Sequence, residues 1–118
     1  MTRDAWLALC VSLEGAATDS PFRLDERTTV ARHERNRKWF GLLMDLEGRD
    51  AVNLKCEPTQ AALLRGMFAG IIPAWHMNKD HWITVYLDSD VPDEVIANLT
   101  RDSYALTAPR MRRVKPTD

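Results

Sequence analysis

At 118 residues and 45% hydrophobic, the chain fits a single globular domain, residues 1–118, able to bury one core without disulfides or bound metal. Its net charge of −1 argues against strong binding of a polyanion by bulk electrostatics. No stretch approaches the roughly 20 consecutive apolar residues of a membrane helix and no leader-like pattern opens the sequence, so a soluble protein with no membrane partner is expected.

Thr2 is placed to cap a first helix, with Asp4 favourable in its first turn and Trp6, Leu9, Cys10 and Leu13 recurring at helical spacing as far as Gly15. Residues 16–26 contain Ser20-Pro21-Phe22 and no sustained period, which predicts a loop with Phe22 docked on the core. Residues 28–33 and 38–46 read as strands, the second alternating Phe40, Leu42, Met44 and Leu46, with a turn at Arg35-Asn36 between them. A second turn at Gly48 leads to a third strand in which Val52, Leu54 and Cys56 alternate with Asn53 and Lys55. Pro58 suits the first turn of a second helix, whose apolar stripe is Ala61, Leu64 and Phe68 with Leu63 and Met67. Residues 82–87 alternate as another strand. Pro92, Asp93 and Glu94 then open a last helix lined by Val95, Ile96, Leu99, Ser103 and Leu106 and stopped by Pro109, with residues 111–118 expected to be a mobile tail. An antiparallel sheet with one face under three helices is a two-layer α+β domain. No GxGxxG or GxxxxGK[ST] follows a strand, so glycine-loop nucleotide binding has no support.

Rare residues crowd the run Pro73-Ala74-Trp75-His76-Met77-Asn78-Lys79-Asp80-His81-Trp82-Ile83-Thr84-Val85. His76 and His81 lack the spacing of a helical metal pair and flank Lys79, so no metal site is expected; both are read as histidines that hydrogen-bond backbone and brace an irregular turn. Asn78 and Lys79 have two readings: a holder of phosphate or carboxylate beside backbone amides, or a left-handed turn residue followed by an ion-pair partner of Asp80. Trp82 is expected in the core. Trp39 follows Arg32, Arg35, Arg37 and Lys38, and a basic hairpin interleaved with an aromatic suits a wing that contacts a nucleic-acid backbone. Arg110, Arg112 and Arg113 add a second basic cluster while residues 80–102 are acid-rich; opposite charged faces and ordinary solvated strand ends both fit that pattern. Cys10 and Cys56 lie far apart with no CxxC pair, which reads as free buried thiols in a reducing, cytoplasmic compartment. No serine or cysteine has an activating neighbour, so no catalytic residue is assigned and no enzyme is expected.

The segments Asn53-Leu54-Lys55-Cys56-Glu57-Pro58, the run from Pro73 to Val85, and Ser103-Tyr104-Ala105-Leu106 closely resemble the MmcQ/YjbR family of small bacterial proteins. The likeness extends to Pro21-Phe22 and to Asn36-Arg37-Lys38-Trp39-Phe40; Trp75 stands where the family usually has tyrosine. The resemblance implies a CyaY-like, or double-wing, domain of order α-β-β-β-α-β-β-α, whose additional strand would come from the neighbourhood of Ile71-Ile72. It also implies DNA binding, a label resting on analogy of fold, and it carries over no cofactor and no catalytic residue. Two functions are therefore open. One is a monomer that binds double-stranded DNA through Arg32, Arg35, Arg37, Lys38, Trp39, Arg110, Arg112 and Arg113. The other is a domain that binds a protein or a small anion at a concave site bordered by His76, Asn78, Lys79 and Trp82.

Overall fold

The computed structural model describes residues 1–110. Its elements run α1 (Arg3–Ser12), β1 (Ala16–Asp19), β2 (Thr29–His33), β3 (Trp39–Leu46), β4 (Arg49–Lys55), α2 (Pro58–Met67), β5 (Ile71–Pro73), β6 (Trp82–Tyr86) and α3 (Asp93–Thr107). The strands form one antiparallel sheet in the order β1-β2-β3-β4-β6-β5. The α+β class is as expected, but the chain order is α-β-β-β-β-α-β-β-α and not α-β-β-β-α-β-β-α. Residues 16–19 make the difference. Ala16-Ala17-Thr18-Asp19 has no apolar alternation to mark it, and it is held extended by its pairing with β2, from Ala16 opposite His33 to Asp19 opposite Val30.

Local chemistry accounts for most element ends. Thr2 Oγ1 accepts from the Ala5 amide at 3.1 Å and starts α1. Pro58 opens α2, where a missing N–H leaves no broken bond. Glu47 and Gly48 both take positive φ, 54° and 76°, in the two-residue turn between Leu46 and Arg49, a geometry that matches the twist of the β3–β4 hairpin.

The helices cover one face of the sheet. Trp6 and Cys10 of α1, Leu64 of α2 and Ile96 of α3 pack there on Leu43, Leu54 and Ile83. Each large side chain buried this way contributes on the order of 1.5–3 kcal/mol. Gly41 of β3 permits the closest approach, since a β-carbon at that position would lie 2.6 Å from the Trp6 ring. The register slips between Ala31 and Arg32, which pair with Gly41 and Trp39, so Phe40 is an extra residue that also turns into the core.

The buried side of α3 keeps Ile96, Leu99 and Ser103 of the expected stripe, with Val95 packed against the core, but departs from it at Leu106. It runs through Ile96, Leu99, Thr100, Ser103 and Thr107, while Leu106 is 42% exposed. The hydroxyls are there because they have partners. Thr100 Oγ1 accepts from the Trp6 indole at 3.0 Å, and Ser103 Oγ donates to the Phe40 carbonyl at 2.5 Å while accepting from the Lys55 amide at 2.8 Å. Phe40 and Lys55 would be the next pair after Gly41–Leu54, so Ser103 stands where the β3–β4 ladder parts. In α2, Ala61 and Leu64 face inward, whereas Leu63 and Met67 lie on the solvent side, contrary to the expected stripe.

The second sheet face carries a smaller cluster, Met44, Leu46, Ala51 and Tyr86 with Ile72 against it, and the Arg49 guanidinium lies 3.9 Å from the Tyr86 ring centre. Two connections contribute residues beside Leu42 and Met44 on this face: residues 20–28 between β1 and β2, through Phe22, Asp25 and Thr28, and residues 74–81 between β5 and β6, through Trp75 and His76. Phe22 belongs to the first and does not dock on the core; it is 42% exposed and meets Trp39 edge-on, ring centres 6.4 Å apart.

Candidate functional site

The turn that joins β2 to β3 is tied to the end of α3. Asn36 Nδ2 donates to the Thr107 carbonyl at 2.9 Å, and Asn36 Oδ1 accepts from the Lys38 amide at 3.0 Å. The turn closes with the Arg37 amide on the His33 carbonyl at 2.9 Å, and Arg37 takes a left-handed φ of 62°. This fastening sets the turn that carries Arg35, Arg37 and Lys38 against Thr107, the last residue of α3 and three positions before Arg110. Arg35 lines a hollow of about 300 Å³ with Glu14, Ala108 and Pro109, the last next to Arg110 in the chain. Those four cations form no ion pair among the described residues.

Arg32 differs from its neighbours. Its Nε donates to Asp19 Oδ2 at 2.8 Å, so its charge is balanced on the sheet by β1, the strand that sequence reading missed. Trp39, 37% exposed, stands beside Arg32 and Arg37 in a hollow of about 280 Å³. Arg112 and Arg113 lie outside the described residues.

Beneath the turn, His33 is buried to 2% exposure. Its Nε2 is 3.0 Å from the Tyr104 carbonyl oxygen and 3.0 Å from Thr107 Oγ1. A carbonyl only accepts, so Nε2 carries the hydrogen. Burial lowers the His33 pKa from its ordinary value, and the Tyr104 hydrogen bond only partly opposes that shift. Unlike His76 and His81, which stand in a run of rare residues, His33 sits on β2 with nothing in the sequence to mark it beyond the strand itself.

The residues of the second candidate site separate. His76 has a left-handed φ of 60°, its ring is exposed, and it lines a cleft with Trp75 on the second sheet face. Asn78 Oδ1 is committed to the Asp80 amide at 2.8 Å, and Lys79 is exposed on the same turn. Trp82 is half-buried on β6 and does not line the cleft, so it is less of a core residue than expected. His81 braces its turn with its backbone: its carbonyl accepts from the Cys56 amide at 2.8 Å and its own amide donates to the Asn78 carbonyl at 3.2 Å. Among the described residues neither the His76 nor the His81 ring makes the expected bond to backbone, and both residues are exposed.

What holds the Trp75 crossing is a buried polar pair. Asn53 of β4 and Thr84 of β6 lie opposite each other and are fully buried. Thr84 Oγ1 donates to Asn53 Oδ1 at 2.5 Å and accepts from the Trp75 amide at 3.0 Å, while Asn53 Nδ2 donates to the Trp75 carbonyl at 2.9 Å. Four of the runs that carried the family resemblance thus serve as supports through three contacts: Asn53 with Trp75 and Thr84, Asn36 with the end of α3, and Ser103 with Phe40 and Lys55.

Cys10 and Cys56 are both free and buried, and burial pushes the Cys10 thiol up to about 12. Among the described residues no three His, Cys, Asp or Glu are grouped to hold a metal ion, and no helix is long and apolar enough to cross a membrane.

Residues 11–106 match the family model YjbR. The chain is 36% identical over 103 residues to the uncharacterised protein YyaQ of Bacillus subtilis, covering 79% of this chain and 86% of that one. It is 45% identical over 65 residues to the uncharacterised protein YjbR of Escherichia coli, covering 55% of each. A Pseudomonas syringae crystal structure superposes with a TM-score of 0.85 at 34% identity, over 91% of this chain and 99% of that chain. A Deinococcus radiodurans protein of domain family DUF419 superposes with a TM-score of 0.78 at 31% identity, over 89% of this chain and 77% of that chain.

Proposed function

The chain belongs to the YjbR family, and from that premise we propose that it contacts the phosphates of double-stranded DNA through the basic end formed by the β2–β3 turn and the end of α3. The observation that supports this reading is the Asn36–Thr107 hydrogen bond, which ties the basic β2–β3 turn to the end of α3, three residues before Arg110. Arg35, Arg37, Lys38 and Arg110 supply the charge; Arg32, balanced by Asp19, positions the strand beneath them. Trp39 offers a partly exposed indole beside the cations, a suitable contact for a sugar or an unstacked base. Arg112 and Arg113 continue the same basic run in sequence.

A net charge of −1 keeps the long-range attraction small, so the affinity belongs in the weak, sequence-independent range and depends on salt. About four neutralised phosphates give a slope of log affinity against log salt of about −3.6. On this reading the protein is a cytoplasmic monomer and performs no covalent chemistry. Fluorescence anisotropy of a labelled duplex at several salt concentrations tests it, with the Arg35→Glu/Lys38→Glu double variant in parallel. The expected result is binding that weakens along that slope and is abolished in the variant. Absence of binding at low salt, or binding unaffected by the charge reversal, would falsify the reading.

A further inference from the structure

We propose that the cleft on the second sheet face binds a small organic cation, an ammonium or guanidinium group carried on an apolar body. The cleft arises from topology. Residues 20–28 come from the β1 side and residues 74–81 from the β5 side, and Phe22, Asp25 and Thr28 of the first and Trp75 and His76 of the second line one hollow with Leu42 and Met44 of β3. Between them lies a cavity of about 310 Å³ floored by Leu42 and Met44. That is the low end of the roughly 300–1,000 Å³ typical of small-molecule sites.

The walls are aromatic. Phe22 is 42% exposed and Trp75 50% exposed, and the His76 ring is set edge-on against Trp75, ring centres 4.7 Å apart. Exposed aromatic faces around a hollow attract cations through the negative potential of their rings. The charge of the lining has the matching sign, because among the described residues the formally charged ones that line it are Asp25 and Asp45. Asp25 is fixed as a carboxylate: it accepts from the Thr28 hydroxyl, from the Arg27 amide at 3.1 Å and from the Thr28 amide at 3.2 Å. Those bonds, the Thr28 hydroxyl first, hold its carboxyl below the usual carboxylate range. Asp45 faces Arg27 Nε at 3.6 Å, a solvent-exposed pair that leaves much of its charge available. An anion in this hollow would meet two like charges, and a neutral molecule would forgo both attractions.

The site is also built in advance. Asn53 and Thr84 grip the Trp75 peptide on both sides, so that wall needs no ordering when a ligand arrives. The basic end is a separate surface, and loss of DNA binding there leaves this inference intact.

Amide-resolved NMR titration of the full chain with benzyltrimethylammonium, benzyl alcohol and benzoate tests the proposal. The expected result is that the cation perturbs the amides of Phe22, Leu42, Met44, Trp75 and His76, the alcohol does so more weakly, and benzoate does not. Asp45→Asn, at an exposed position that leaves the fold intact, should weaken the cation by about fivefold, the factor for a unit charge pair about 4 Å apart in water, and leave the alcohol unchanged. Trp75→Leu should weaken both. Equal binding of benzoate, no perturbation at tens of millimolar cation, or an Asp45→Asn variant of unchanged cation affinity overturns it.

Discussion

Asn53 and Thr84 face each other across β4 and β6, both without solvent exposure, and their side chains hydrogen-bond at 2.5 Å while together clasping the peptide of Trp75. A polar pair in that position is stabilising only when complete, because each unpaired buried group loses about 1–3 kcal/mol. Asn53→Ala leaves the Trp75 carbonyl and the Thr84 hydroxyl short of partners, and should lower stability by about 2–4 kcal/mol. Urea unfolding measures this. Thr84→Val should be non-additive with it by at least about 0.5 kcal/mol; strict additivity would mean the two side chains do not act as a unit.

Trp6 lies so close to β3 that residue 41 has no room for a side chain. Gly41→Ala should therefore force the indole aside, strain its bond to Thr100, and destabilise by about 1–3 kcal/mol. The same denaturation experiment, followed by near-ultraviolet circular dichroism of the tryptophans, reads it out. An unchanged midpoint would place the indole farther from the strand than found.

The buried His33 makes stability depend on pH. Its folded-state pKa lies below the ordinary 6.5, so as pH falls through that value the unfolded chain takes up a proton first and stability declines. The decline continues until pH passes the folded-state value; above neutrality His33 contributes no slope. His33→Gln should flatten the profile between neutrality and mild acid. An equally steep profile in the variant would assign the dependence to another group.

The α+β class and most elements were legible in the order of residues, the contacts that build the sites were not, and the reason differs from place to place. Alternation marked β3, β4 and β6 because one face of each is packed by helices, and Thr2 and Pro58 marked helix starts by their own chemistry. β1 has no period because all four of its residues are half-buried, and its shape is imposed by β2. On α3, Thr100 and Thr107 also turn inward, because the Trp6 indole and the His33 ring meet them there, and Ser103 meets main-chain groups of Phe40 and Lys55 where the β3–β4 ladder ends; no local pattern reveals those partners. Among the candidate sites, the basic turn was legible as a charge run, whereas its fastening to α3 depends on contact between residues 36 and 107. Phe22, Asp25 and Asp45 were missed as site residues because nothing in sequence links them to Trp75; only the two crossing connections do.

That fastening has its own test. Asn36→Ala removes no charge, yet it should free the turn from α3, costing about 1 kcal/mol of stability and weakening duplex binding if the basic end acts as one surface. Anisotropy titration at one low salt concentration suffices. Wild-type affinity in this variant would show that the two basic segments act independently.

The thiols should be inert in the folded chain. With Cys10 unexposed and pushed up to about 12, and Cys56 raised chiefly by burial, neither offers thiolate at pH 8. Ellman's reagent should detect no thiol in buffer and two in denaturant; a rapid native reaction would point to an opening of the α1 packing.

The two outer strands of the sheet are its shortest, four residues in β1 and three in β5, and β5 finishes on Pro73, which has no N–H to offer. Among the described residues each is paired on one side only. Margins this brief, one closed by proline, give a neighbouring chain few main-chain groups to zip onto, which guards a sheet against growing edge to edge into fibrils. The unpatterned run at residues 16–19 thus does protective work: it covers the longer β2 with a blunt border, and crowded solutions of the protein are the setting in which that matters.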